Sequence, residues 1–214
     1  MLAHSVSTAR KILFISGWAG YPELFPRLSS SALFIHPFVS HTHKSVRNLL
    51  TGKKWDVLIG WSLGAHICLE ALPEVKADFI CLIAPFLSFT RYTPASRLRS
   101  MHLGLERDPE NTLHWFWQRC AVRTVPSSTP SDVKKLAQGL RYLLNSNIDP
   151  LNITGGSRVM LIHGRKDRIV PEQAVIEVRR NLSRSLFVSL PAEHFISLEK
   201  IDKKVYDQTG TKII

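Results

Sequence analysis

Trp55-Asp56-Val57-Leu58-Ile59-Gly60-Trp61-Ser62-Leu63-Gly64-Ala65-His66-Ile67-Cys68-Leu69-Glu70-Ala71-Leu72 reads as a buried strand, a tight turn and a helix in direct succession. A serine on such a turn takes strained backbone angles, and glycines two residues to either side let strand and helix approach closely enough to hold it. The strain lifts the Ser62 hydroxyl out of the sheet edge. The helix behind it points free amides and the positive end of its dipole at any oxyanion formed there. Residues 60–64 therefore have the form of a nucleophile elbow.

Outward from this stretch, short apolar runs at 11–16, 32–37, 56–59, 78–84, 158–163 and 185–190 read as buried strands. Between them, 22–28, 44–50, 63–72 and 172–182 carry the spacing of helices that cover one face of a sheet. Repeated strand, helix, strand units need crossover connections, which predicts an α/β fold with a mostly parallel sheet flanked by helices. One segment interrupts the alternation. From about 86 to 147 no strand pattern occurs, and helices are expected at 93–102, 109–121 and 131–144, with starts at Thr93, Asp108 and Ser131. The stretch 126–130 reads as a turn. A helical insertion at this sheet edge is placed to act as a lid over Ser62.

A serine hydroxyl is a poor nucleophile at neutral pH, so it needs an imidazole base, and the imidazole needs a carboxylate to fix its tautomer. Asp167 falls in the loop after strand 158–163, and His194 in the loop after strand 185–190. Both loops lie at the strand ends where ligands collect in open α/β sheets. Asp149 is the second candidate acid. His163 reads as the end of a buried strand, and His66 as a packing residue behind Ser62. His4, His41, His43, His102 and His114 show no spacing that makes a metal site. For the oxyanion, one amide is expected from Leu63 and a second from the glycine-flanked loop Ser16-Gly17-Trp18-Ala19-Gly20, with Trp18 the candidate donor. The Trp18 and Trp61 rings are expected to line an acyl channel.

With 214 residues the chain suits one domain with a sizeable core and a small insertion. Its 28 basic and 17 acidic residues give a formal charge of +11, which favours an acidic partner or carrier. Zinc-finger spacing, an RNP-like aromatic motif and a long basic helix are all missing, so nucleic acid is not the expected partner. Cys68, Cys81 and Cys120 form no close-spaced pair and suggest no disulfide framework. The apolar run at 12–15 is too short for a secretory segment, and no run reaches membrane-spanning length. A soluble, cytoplasmic protein without a membrane partner is the expectation.

Ser16-Gly17-Trp18, the 60–64 elbow, His163-Gly164-Arg165-Lys166-Asp167-Arg168-Ile169-Val170-Pro171 and Ala192-Glu193-His194-Phe195-Ile196-Ser197 together resemble the α/β-hydrolase superfamily over nearly the whole chain. Within it the chain is similar to the pimeloyl-acyl-carrier-protein methyl ester carboxylesterases of biotin synthesis. That resemblance rests on Gly17-Trp18 with the elbow, on His194-Phe195-Ile196-Ser197, and on the insert with Gly139-Leu140-Arg141-Tyr142-Leu143-Leu144 before Asp149. It implies hydrolysis of a methyl ester on an acyl carrier protein, with Ser62 attacking, His194 moving the proton, Asp167 orienting the imidazole, and no metal or organic cofactor. Acyl carrier proteins are acidic, and Arg97, Arg99, Arg119, Arg123 and Arg141 on the insert are candidates to receive one. Two features depart from the family. Ser16 stands where a histidine is usual, which leaves the bracing of the oxyanion loop open, and little precedes Lys11, so reduced leading strands and a compact lid are expected. The same triad serves a short-acyl esterase or thioesterase. A non-catalytic protein that keeps the fold to bind an acidic partner is the alternative from another class.

Overall fold

Alternation along each strand sets the layers. In β1 (Ile12–Ile15), Leu13 and Ile15 face one apolar cluster while Ile12 and Phe14 face another. β3 (Lys54–Trp61), β4 (Lys76–Ile83) and β5 (Val159–Gly164) repeat the pattern. Leu58, Leu82 and Leu161 enter the first cluster, and Ile59, Ile83 and Ile162 the second. Strands buried on both faces have no polar side to offer water, so the sheet must be covered twice. With β2 (Leu33–Ile35) and β6 (Leu186–Leu190) the order is β2-β1-β3-β4-β5-β6, and every pairing is parallel.

The computed structural model describes residues 10–123, 126, 132–153, 158–210 and 212–213. On the face of the first cluster lie α2 (His43–Gly52), α3 (Leu63–Ala71) and α8 (Glu172–Asn181), through Val46, Ile67 and Val178. α1 (Pro26–Ser31) and α9 (Leu198–Thr209) cover the other face, through Leu28, Ile201 and Val205. Because β1 connects to β2 on one side and pairs with β3 on the other, strand order reverses at β1. The crevice at such a reversal opens at the C-terminal strand ends. The loop after β1 and the turn after β3 both meet there.

Between β4 and β5 run α4 (Phe89–Tyr92), α5 (Ala95–Arg107), α6 (Pro109–Cys120) and α7 (Val133–Asn145). α5 starts later than the expected Thr93, because Thr93 precedes Pro94 and is extended, at φ −129° and ψ 126°. Asp108 caps α6, accepting from the Asn111 amide at 3.1 Å. Ser131 and the turn expected at 126–130 lie outside the described residues, Pro126 excepted. The helix expected at 22–28 is divided into a 3₁₀ turn, Pro22–Leu24, and α1, since Pro26 has no N–H to continue the first turn. α9 was not among the expected elements. Cys68, Cys81 and Cys120 are free and buried. Among the described residues no helix is long and apolar enough to cross a membrane.

Candidate active site

Ser62 joins β3 to α3 at φ 54° and ψ −113°, a region L-residues avoid at a cost of about 1–3 kcal/mol. The surroundings enforce it: the Ser62 amide donates to the Ile83 carbonyl at 2.8 Å, and the Ser62 carbonyl accepts from the His66 amide at 3.0 Å. The flanking glycines are needed for close approach. A Cβ at Gly64 would stand 2.1 Å from the Ile15 carbonyl oxygen, and one at Gly60 would stand 2.8 Å from the Ala65 Cα.

Asp167 follows β5 in a turn closed by its own amide on the Gly164 carbonyl at 2.9 Å. One carboxylate oxygen accepts from the Ile169 and Val170 amides at 2.7 and 3.0 Å; the other faces His194 Nδ1 at 2.7 Å. Burial pushes this carboxyl up, but the adjacent imidazole and the two amides outweigh burial and hold it below the usual carboxylate range. The acid loop and the histidine loop are stitched together, with the Lys166 amide donating to the Ala192 carbonyl at 2.9 Å. Neither side chain of the pair is exposed. Among the described residues, His194 Nε2 is buried without a hydrogen-bond partner, a donor or acceptor held ready.

Trp61 does not line the acyl cavity as expected. β3 runs on to Trp61, so period-two alternation puts its ring on the Ile59 face, beneath the sheet edge, against Phe25 at 5.3 Å and His194 at 5.2 Å. Its indole N–H donates to the His194 carbonyl at 3.1 Å. Trp61 thus seats the histidine beside the elbow. Trp18 does line the cavity, together with Ser62. Asp149 is exposed and caps the 3₁₀ turn Pro150–Asn152, accepting from Leu151 at 3.0 Å. His66 packs as expected, bonded through Nδ1 to the Phe86 carbonyl at 2.9 Å, and burial lowers it to about 4. His163 lies next to the end of β5, but its Nδ1 also lies 4.0 Å from Asp167, a proximity that strand pattern did not disclose.

The 16–20 loop is braced even with a serine at 16. Ser16 is fully buried and its hydroxyl donates to the Gly20 carbonyl at 2.5 Å, bracing the loop from within. The Gly20 amide closes a turn on the Gly17 carbonyl at 3.1 Å. A Cβ at Gly17 would stand 3.3 Å from the Ser62 Cβ, so the loop passes directly over the elbow. Leu63 is the first residue of α3, where an amide has no intrahelical acceptor.

Above Ser62 is a narrow cavity of about 30 Å³, roofed by Leu98, Met101, Phe116 and Leu140 of the helical insert. Arg97 is the one charged residue in that lining, and Trp115, 41% exposed, stands at the rim with Arg119 stacked 5.0 Å from its ring. Arg123 lines a different hollow with Glu23, Glu193 and Lys200; Arg99 and Arg141 are exposed outside both. Arg97 and Arg119 are thus each placed beside Trp115, Arg97 in the same lining and Arg119 over its ring, and the other three lie elsewhere. Among the described residues no group of three or more His, Cys, Asp or Glu is placed to hold a metal ion.

No protein-family model and no curated protein matches the chain. Solved structures do. An esterase, EaEST, from Exiguobacterium antarcticum superposes with a TM-score of 0.70 at 14% identity, over 95% of this chain and 91% of that one. A hydrolase from Pseudomonas aeruginosa PA01 gives 0.67 at 13%, over 94% and 91%. BioG from Haemophilus influenzae gives 0.64 at 15%, over 90% and 92%. Together with the parallel six-stranded sheet, the elbow after β3 and the helical insert after β4, these likenesses show that the chain has the α/β-hydrolase fold.

Proposed function

We propose that the protein is a serine hydrolase of carboxylic esters. The observation that carries this is the buried Asp167 and His194 pair at 2.7 Å, with the far imidazole nitrogen unpartnered and the ring seated by the neighbour of a strained serine. Ser62 Oγ attacks the ester carbonyl while His194 Nε2 takes its proton; the oxyanion gathers the Leu63 and Trp18 amides. Collapse breaks the bond to the alkoxide, which leaves as the alcohol with the proton from His194. Water then repeats the sequence on the acyl-enzyme, and the acid is released. Asp167 stays ionised and stabilises the imidazolium throughout.

As substrate we propose the methyl ester of a pimeloyl chain on acyl carrier protein, in biotin synthesis within the cytoplasm. Three features support it besides the sequence resemblance: an apolar lining above Ser62, Arg97 in that lining with Arg119 stacked on its Trp115, and a net charge of +11 that draws an acidic carrier. A short-acyl ester or thioester would use the same centre. A fluorophosphonate probe tests the chemistry: the wild type should label and Ser62→Ala should not. Substrate class is tested by comparing pimeloyl methyl ester on its carrier with p-nitrophenyl esters, and turnover of the second alone would remove the carrier substrate. Absence of labelling in a folded wild type would leave a binding protein.

A further inference from the structure

Of the run Trp115-Phe116-Trp117 in α6, Trp115 meets solvent while Phe116 and Trp117 are buried. Trp117 is 3% exposed, does not line the cavity, and donates its indole N–H to the Ala19 carbonyl at 2.9 Å. That carbonyl belongs to the Ala19–Gly20 peptide, whose N–H donates to the Gly17 carbonyl at 3.1 Å. The Gly17 carbonyl in turn shares its peptide with the Trp18 amide, the candidate oxyanion donor. The series is continuous: indole N–H, peptide, peptide, Trp18 N–H.

We propose that Trp117 is a positioning residue for the oxyanion site, acting on the Trp18 amide through these two peptide groups; this rests on the hydrolase function proposed above. Two physical effects run along the series. Each accepted hydrogen bond polarises its peptide and strengthens the N–H at the other end, an effect enlarged in a buried, low-dielectric setting. The series also fixes orientation, since Ala19 holds φ 50°, a left-handed conformation that an alanine keeps only when its surroundings demand it. The Trp18 ring is clamped independently: its indole donates to the Leu136 carbonyl of α7 at 2.9 Å, and it packs perpendicular to the Phe116 ring with centroids 4.7 Å apart. The oxyanion loop is thus bonded to α6 and α7 at once. A lid displaced far enough to break these bonds would also release the loop that completes the oxyanion site.

The test is kcat per active site, with active sites titrated by the fluorophosphonate so that any misfolded fraction drops out. Trp117→Phe should lower kcat about tenfold or more, short of the ~10²–10³-fold loss on deleting an oxyanion donor outright, with KM little changed. Affinity for a trifluoromethyl ketone transition-state analogue should fall by the same factor. Installing 3-benzothienylalanine at 117, which keeps the ring's shape and deletes the N–H, should reproduce the loss and guards against a folding defect in Trp117→Phe. Wild-type kcat in the benzothienyl protein, or a loss confined to KM, overturns the proposal while leaving the hydrolase intact. A wild type that neither labels nor hydrolyses removes the hydrolase and the role of Trp117 with it.

Discussion

At Ser62 the strain is paid into the backbone and retained by neighbours that leave no room to relax: Ile15, Ile83 and Ala65 surround the turn. Gly64→Ala forces a methyl group against backbone atoms that cannot rotate away, so destabilisation of about 1–3 kcal/mol or more is expected, read as a lowered thermal midpoint. Asp167 is held by two amides on one oxygen and the imidazole on the other, which leaves Asn a fitting shape but the wrong partner for Nδ1–H. Asp167→Asn should keep the fold and lower kcat about 10⁴-fold, because the imidazole is driven to the unproductive tautomer. Unchanged kcat in that variant would count against the triad.

Among the elements, the helical insert is tied to the body at several points besides the 16–20 loop. Tyr142 of α7 donates to Glu70 of α3 at 2.6 Å, and His43 of α2 meets the same carboxylate at 2.9 Å, with its ring 4.8 Å from that of Tyr142. Farther along, Tyr21 donates to Asp132 at 3.1 Å, just ahead of α7. The His43 contact first, and then the Tyr142 hydroxyl, hold the Glu70 carboxyl at about 2 against its usual 4.5, overcoming the effect of burial. A depressed carboxyl favours the folded state fully above the usual value and loses that contribution as pH falls from 4.5 toward 2. Thermal midpoints across that window should therefore drop less steeply in Glu70→Gln than in the wild type. Parallel curves for the two proteins would show that this cluster does not tie α7 to the body.

For the whole molecule, the charge of +11 acts at a distance and is open to screening. The Debye length falls from about 8 Å at 0.15 M salt to about 3 Å at 1 M, so kcat/KM on a carrier-bound ester should decline with salt while a neutral p-nitrophenyl ester is spared. Arg119→Glu, beside the rim tryptophan, should cost more carrier-bound turnover than Arg123→Glu, which sits in the separate hollow with Glu23 and Glu193. Equal losses on carrier-bound and small esters would argue against docking at the rim.

By itself the sequence determined the parallel α/β sheet, the strained turn at Ser62, three helices of the insert and the loops that carry Asp167 and His194, because each is written in local periodicity, glycine spacing or the step from a strand into its loop. α9 went unread although Leu198, Ile201 and Val205 keep a helical spacing, since its charged majority obscures the narrow apolar stripe. Trp61 was misplaced because β3 continues two residues beyond the apolar run that announced it. Tertiary structure alone decided that Ser16 braces its own loop, that His163 adjoins the acid, and that Trp117 reaches Ala19 across 98 residues of chain. The first two join residues four apart through loop geometry that no periodicity announces, while the third depends on how the insert packs on the sheet, and no local pattern encodes where two distant surfaces meet.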